Sequence, residues 1–450
     1  MLLYRLMVVL ARLALGIFFR RIEVEGKERV PLGRPLVFVA NHPNTLIDVL
    51  VVGTFHPKKI HFLAKGALFE NRIAARFFST FGVIPVYRRQ DAADMSRNVD
   101  SFERCYEALE KGGSIAIFPE GTSVTEPRLL EFKTGAARIA LGAEERNGFA
   151  LGVHLVPVAL AYDEKATFRS RVLVRVGEPA DARTWAAAHA ADPQEAARSL
   201  TASLKEAFAA LLPQADDWRE LRSIDRVRRL YRDELRRRGA DDTVVLSGDL
   251  AAKVRLTQAF LDGYVYYKEK DPAAVRALRR RVDRFYDLLD HTGVPAGALA
   301  LESSALAAAW FLVRHVLVLL AGFPVYLVGL VHNYPPYLAN RLVVRALAPE
   351  TEYESTYKLL AGILLFVPFH AAAAALYGWF LHPAAIPVSL FLTVASGLFT
   401  LAYWNEARHL AIGIGVFFRF RGRIREGLER RRREILEEVE RLAAAYPGQA

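Results

Sequence analysis

Sulfur is scarce in this chain. Among 450 residues there are three methionines and one cysteine, Cys105. A lone cysteine excludes an intrachain disulfide and a cysteine-based zinc site, and Cys105 reads as a small helix residue. Acid is also short. Lys and Arg number 60 against 49 Asp and Glu, a formal net charge of +11. Such a balance suits nucleic acid or an anionic membrane surface. No nucleic-acid module is visible, and the positive charge gathers beside apolar segments, so the membrane is favoured. A third scarcity is local: no Asp, Glu, Lys or Arg occurs from Leu359 to Tyr403, where only His370 and His382 can titrate. A span needs about 20 apolar residues. Residues 357–381 and 385–404 therefore predict a transmembrane hairpin joined at "HPAAIP". No internal repeat or low-complexity segment is evident.

The chain as a whole is 52% hydrophobic, greasier than an ordinary soluble enzyme and more polar than a transporter. Its first 21 residues are apolar but interrupted by Arg5 and Arg12, seven apart and on one helix face. That pattern predicts an interfacial or membrane-anchoring helix, with a short span as the alternative, rather than a cleaved signal. Residues 22–182 alternate short β-branched runs with helical patterns, which predicts an α/β sandwich around a mostly parallel sheet. Residues 183–300, rich in Ala, Arg and Leu, predict a helical subdomain without catalytic motifs. Residues 301–405 form a membrane-embedded region. Residues 406–450 form a basic C-terminal helix, read either as a solvated face or as a contact with anionic lipid.

Chemistry concentrates at the ends of predicted strands. "LVFVANHPNTLIDVL" (36–50) closes an apolar run on Asn41-His42 and places Asp48 six residues after the histidine. "GVIPVYR" (82–88) delivers Arg88, and "IFPEGTS" (117–123) delivers Glu120, Gly121 and Thr122. "LVPVAL" (155–160) is a further buried strand. In open α/β sheets, sites lie beyond the carboxyl ends of the strands. A histidine at a helix start is often structural on its own. Three strands delivering His42, Arg88 and Glu120 to the same edge make a functional signal.

These blocks resemble the phospholipid/glycerol acyltransferases, which include glycerol-3-phosphate and 1-acylglycerol-3-phosphate acyltransferases. The likeness covers roughly residues 20–180. It departs from the common pattern twice. Five residues, not four, separate His42 from Asp48, and Ser123 follows Thr122 where an arginine is usual. The resemblance implies His42 and Asp48 as the catalytic pair, with Asn41, Arg88, Glu120, Gly121, Thr122, Lys133 and Lys65 binding substrate. Arg88, Lys65, Arg128 and Lys133 are candidates to replace the missing arginine. An imidazole titrates near neutral pH and suits a general base that removes a hydroxyl proton. Asp48 would fix its tautomer, in the logic of a Ser-His-Asp triad with the substrate hydroxyl in place of serine. No metal is called for, since His56 and His61 lack surrounding ligands. No cofactor is expected either. The co-substrate would be acyl-CoA or acyl-carrier protein.

The expected partners are membrane lipids, an acyl thioester donor and a phosphorylated glycerol acceptor, glycerol-3-phosphate or lysophosphatidate, with no nucleic acid. Another lysophospholipid acceptor, or a non-catalytic membrane-remodelling role, stands as the alternative. The expected location is the membrane, with the catalytic domain on its cytoplasmic face. If the catalytic domain and the basic tail share that face, the crossings between them are even in number. The stretch at 304–331, which holds Arg314, His315 and Pro324, is then expected to be embedded, broken or packed against the hairpin without a net crossing.

Overall fold

A computed structural model describes residues 2–87, 98–239, 248–292, 305–348, 350–419 and 423–449. These residues form two compact units. The first runs to Trp218 and also takes in Asp249–Val254 and Glu350–Thr356. The second holds the remaining described residues.

The first unit begins with α1 (Leu2–Phe18), β1 (Arg21–Glu25), β2 (Leu36–Ala40), α2 (Thr45–Phe55) and β3 (Ile60–Lys65). It continues with α3 (Arg72–Thr80), β4 (Ile84–Val86), α4 (Asn98–Glu110), β5 (Ser114–Ile117), α5 (Gly135–Arg146) and β6 (His154–Tyr162). It closes with β7 (Arg171–Val176), β8 (Ala180–Asp181), α6 (Ala186–Ala191) and α7 (Pro193–Ala209). The strands form one sheet in the order β1-β7-β6-β2-β5-β3-β4, with β8 beside β6. Only the β6–β7 and β6–β8 pairings are antiparallel; the rest of the ladder is parallel. The central strands β2 and β5 are buried along their whole length. That is why they read as unbroken apolar runs rather than alternating ones.

Register explains why the motifs meet. Val39 lies opposite Ile117 on one side and Pro157 on the other. His42 and Glu120 each come three residues beyond that aligned pair, so both chains leave the same sheet edge together. Helix α5 packs tightly because its inner face is Ala136, Ala137, Ile139, Ala140, Leu141 and Ala143. Its buried Glu144 accepts hydrogen bonds from the Leu151 and Val153 amides, at 3.2 and 2.5 Å. This fixes the turn into β6. Cys105 is buried in the same core, and burial pushes its thiol up to about 12. The thiol stays protonated and inert at neutral pH.

Two boundaries differ from the sequence expectation. The sequence places helix α7 in the helical subdomain, but Ala196, Ala197, Leu200, Leu204 and Phe208 lie in one core with Ile139 and Leu155 of the sheet unit. The unit boundary at Trp218, not 182, follows from that packing. The strand β1, "RIEVE", has no sequence signature, because an edge strand carrying three charged residues has no apolar run. Its buried Glu23 accepts the Leu250 and Ala251 amides at 3.1 and 3.0 Å.

The second unit contains α8 (Trp218–Arg237) from Arg219 onward, α9 (Leu250–Lys270) beyond Val254, and α10 (Pro272–Thr292). It also contains α11 (Ala305–Leu347), α12 (Thr351–Phe380) beyond Thr356, α13 (Ala385–Arg419) and α14 (Arg423–Ala444). Helices α11, α12 and α13 are long and apolar enough to cross a membrane. The break expected in the first apolar stretch is absent. α11 runs for 43 residues through Pro324, Pro335 and Pro336. Close packing against α13 supports it: a Cβ on Gly329 would come within 2.3 Å of the Ser396 carbonyl oxygen. Asn333 Nδ2 donates to the Thr393 carbonyl at 3.1 Å. Small residues and interhelical hydrogen bonds of this kind hold apolar helices together. The basic tail helix has one buried face. In α14, Leu428, Ile435, Leu436 and Val439 share a core with Leu230, Val282 and Phe285. Arg432, 3% exposed, pairs with Glu234 at 2.7 Å.

Glu23 caps the first turn of α9 from β1. Removing a carboxylate that satisfies two helix-terminal amides costs about 1–2 kcal/mol. Glu23→Ala is expected to lower the apparent melting temperature of the detergent-solubilised chain, with Glu23→Gln recovering part of the loss.

Candidate active site

The first question is how His42 and Asp48 meet with five residues between them. The extra residue is taken up before α2 turns regular. Asn44 sits at φ −145° and ψ 42°, and Thr45 adopts a left-handed φ of 39°. This turn swings Asp48, in the first turn of α2, back beneath the histidine. His42 Nδ1 lies 3.0 Å from Asp48 Oδ2, within the reach expected of an orienting pair. Asp48 is completely buried. Its Oδ2 also accepts the Asn44 amide at 2.6 Å, and its Oδ1 accepts the Tyr162 hydroxyl. Burial first, then the Asp48 charge, pushes the Tyr162 phenol well above its ordinary range, so Tyr162 remains a hydrogen-bond donor. The imidazole stacks on Phe118, with ring centroids 3.9 Å apart and planes 13° apart. It is 18% exposed, and its Nε2 has no partner among the described residues. An oriented imidazole with one open nitrogen can take up a proton.

Glu120 lies beside this pair, buried. Burial raises its carboxyl to about 7; the His42 backbone amide pulls the other way, and the Asp48 charge raises it further. Gly121 takes φ +72°, and a Cβ there would fall 2.4 Å from Lys133 Nζ. Only glycine lets the lysine head lie so close to the chain. Lys133 is itself held by its amide, which donates to the Pro119 carbonyl at 2.8 Å. Thr122 and Lys65 are exposed, at the carboxyl ends of the neighbouring strands β5 and β3. Arg88 lies outside the described residues. Arg128 is exposed. Among the described residues, no group of three or more His, Cys, Asp or Glu is placed to hold a metal ion.

Asn41 departs from its expected role. Its Nδ2 donates to the Leu160 carbonyl at 3.0 Å, and its Oδ1 accepts the Leu160 amide at 2.7 Å. With both ends of the amide committed to β6, Asn41 clamps β2 to β6 where the ladder ends rather than presenting itself to substrate. Ser123, in the position of the usual arginine, is a staple. Its hydroxyl donates to the His42 carbonyl at 2.9 Å and accepts the Thr45 amide at 3.1 Å.

Three participants were not legible as site residues. Tyr162 ends β6, more than a hundred residues from Asp48. Lys165 Nζ donates to Thr125 Oγ1 and to the Pro43 carbonyl at 3.4 Å. Burial lowers the pKa of this lysine. Glu352, at the head of α12, accepts the Thr125 amide at 3.0 Å and lies 3.9 Å from Lys165 Nζ. Its carbonyl accepts the Thr45 hydroxyl at 3.0 Å, and Thr45 Oγ1 also lies 2.6 Å from Thr356 Oγ1. Ser355 Oγ donates to the Lys165 carbonyl at 2.5 Å. The head of α12 therefore braces both loops that carry the site.

The clamp by Asn41 makes a measurable distinction. Asn41→Ala leaves a buried amide and carbonyl of Leu160 without partners, at about 1–3 kcal/mol each. The variant is expected to lose thermal stability clearly in a melting experiment. A residue that only contacted substrate would leave the unliganded melt unchanged.

Comparison with known proteins agrees with the geometry. The acyltransferase family model matches residues 21–161. Over 143 residues the chain is 34% identical to 1-acyl-sn-glycerol-3-phosphate acyltransferase LPAT1, chloroplastic, of Arabidopsis thaliana, covering 32% of this chain and 36% of that one. Over 204 residues it is 29% identical to glycerol-3-phosphate O-acyltransferase 2 of Saccharomyces cerevisiae, covering 45% of this chain and 26% of the yeast protein. The crystal structure of the 1-acyl-sn-glycerophosphate acyltransferase PlsC from Thermotoga maritima is 22% identical and covers 46% of this chain and 79% of that one. Its TM-score is 0.34, too low to bear on the fold. The matches span about a third of the plant relative and a quarter of the yeast one. The match to the acyltransferase family model thus falls on the segment that holds His42, Asp48 and Glu120.

Proposed function

We propose that the chain transfers a fatty acyl group from an acyl thioester, acyl-CoA or acyl-carrier protein, to a hydroxyl of glycerol-3-phosphate or lysophosphatidate. The observation that carries this reading is the buried Asp48 holding His42 by Nδ1 with Nε2 left open. His42 Nε2 takes the acceptor's hydroxyl proton as the oxygen attacks the thioester carbonyl. The C–O bond forms, the C–S bond breaks, and the imidazolium returns its proton to the departing thiolate. The products are an ester and a free thiol. Asp48 keeps the Nδ1–H tautomer and stabilises the imidazolium. Glu120 would hydrogen-bond the acceptor's glycerol hydroxyls. Lys133, with Lys65, Thr122 and Arg88, offers donors to the acceptor phosphate.

The named plant and yeast relatives support the acceptor class, one lysophosphatidate and the other glycerol-3-phosphate. On this reading the catalytic face is cytoplasmic, where acyl thioesters are made.

The test is acyl transfer by the purified full chain from labelled acyl-CoA to glycerol-3-phosphate and to lysophosphatidate. His42→Ala is expected at background. Asp48→Asn should fall by about a hundredfold or more, since it loses the tautomer-fixing acceptor. Tyr162→Phe removes one neutral donor to Asp48 and should lower kcat about three- to tenfold, with KM unmoved. Turnover near wild type in His42→Ala, with matched folding, would refute the mechanism.

Glu120 adds a pH signature. Its folded value of about 7 lies above the ordinary glutamate value. Ionised Glu120 therefore destabilises the fold. The penalty is absent below the unfolded value, grows through roughly pH 4.5–7, and is complete above 7. Glu120→Gln is expected to gain melting temperature over wild type as pH rises from 5 to 8, on the order of 3 kcal/mol at the upper end. A difference that does not vary with pH would show the carboxyl to be unperturbed.

A further inference from the structure

The first unit holds a second concavity, of about 910 Å³, that the catalytic reading does not use. It is walled by α1, the turn after α2, the start of β3, the α3–β4 turn and the end of α4. It lies at the amino ends of β3 and β5. His42 and Glu120 lie past the carboxyl ends of β2 and β5, so the sheet separates the two places.

Its lining is lopsided in charge. Arg5, Arg12, Lys58, Lys59, Arg104 and Lys111 face one acid, Glu107. Two of these cations have local work: Arg12 donates to the Thr54 carbonyl at 3.2 and 2.8 Å, and Lys111 Nζ lies 3.3 Å from Glu107. Lys59 Nζ sits 5.7 Å above the Tyr4 ring. Among the described residues, no acid lies within ion-pair distance of Arg5, Lys58, Lys59 or Arg104. Unbalanced cations around one void repel each other and lower the cost of admitting an anion. His56 and His61 add no charge, because burial and the adjacent lysines lower their pKa values.

A second observation says what kind of anion. The helix that forms one wall carries an exposed apolar stripe, Leu2, Leu6, Val9 and Leu13, from 52 to 85% exposed. Helix α3, which lends Ser79 to the lining, exposes Ile73 and Phe77. Apolar stripes flanking a basic hollow match a surface that rests in the membrane interface, with stripes at acyl depth and cations at the headgroups. A soluble phosphorylated metabolite would use the cations and leave both stripes in water.

We propose that this cavity binds the phosphate headgroup of an anionic phospholipid while α1 lies in the membrane interface. The site is separate from the acyl-transfer site and does not depend on that activity. Arg5, Lys58 and Lys59 supply charge-assisted bonds to the phosphate. Val8, Val83 and Ile84 of the lining meet the root of the acyl chains.

The experiment is native mass spectrometry of the detergent-solubilised full chain, titrated with phosphatidylglycerol or phosphatidylcholine. The variants are Arg5→Gln/Lys58→Gln/Lys59→Gln and the charge-preserving Arg5→Lys/Lys58→Arg/Lys59→Arg. Wild type and the charge-preserving variant should retain one more phosphatidylglycerol than the glutamine variant, whose affinity falls at least tenfold. Circular dichroism checks its folding, and single Lys58→Gln, on an exposed turn, serves if the triple variant does not fold. Inorganic phosphate at millimolar concentration should not displace the lipid. Equal phosphatidylglycerol retention by folded glutamine variants, equal retention of phosphatidylcholine by wild type, or displacement by inorganic phosphate would each overturn the proposal. The last outcome would mark a site for a free anion.

Discussion

The site depends on one buried charge. Asp48 is removed from water altogether, and a carboxylate there is tolerable only because every side of it is answered. The Asn44 amide and His42 approach Oδ2, and Tyr162 donates to Oδ1. Much of the local architecture serves this arrangement. The left-handed Thr45 lets the longer turn close. Ser123 ties that turn to the chain leaving β5, and Asn41 locks β2 to β6 so that Tyr162 arrives at the right height.

The two departures from the common motif are therefore connected. A longer His-to-Asp turn brings an extra residue, and with it Thr45, to the rim of the site. Ser123, short where an arginine is usual, fits inside that turn and takes the Thr45 amide. An arginine there would have to find another path. Thr45 in turn receives the head of α12 through Glu352 and Thr356. Lengthened turn, shortened side chain and helix head form one set of contacts.

What was legible in the sequence was whatever is local. Buried strands announce themselves as apolar runs, so β2 and β6 are legible with nearly their true bounds, while β5 ends at Ile117, four residues short of the 114–121 that its run suggests. His42, Asp48 and Glu120 stood out because they follow such runs. What depends on tertiary partners was hidden. An asparagine beside a catalytic histidine looks the same whether its amide faces substrate or, as with Asn41, another strand. Tyr162, Lys165 and Glu352 lie far along the chain from the residues they touch, and no local pattern links them. Helix α7 has an ordinary amphipathic stripe, which does not say whether a sheet or other helices cover it. In tail helix α14, many arginines mask the apolar face of Leu428, Ile435 and Val439.

The bond between the Thr45 hydroxyl and the Glu352 carbonyl joins residues 307 positions apart. This sets an order of events during synthesis. The sheet strands and the His42–Asp48 pair are complete early, within the first part of the chain to emerge. The brace from α12 cannot form until the ribosome has also produced α8 to α11. At about 5–20 residues per second, the stretch from the end of α7 to Glu352 is a delay of roughly 7–30 s. Throughout it the nascent chain carries its histidine and aspartate without the contact that steadies their turn, and the finished loop arrives only with the helices that follow.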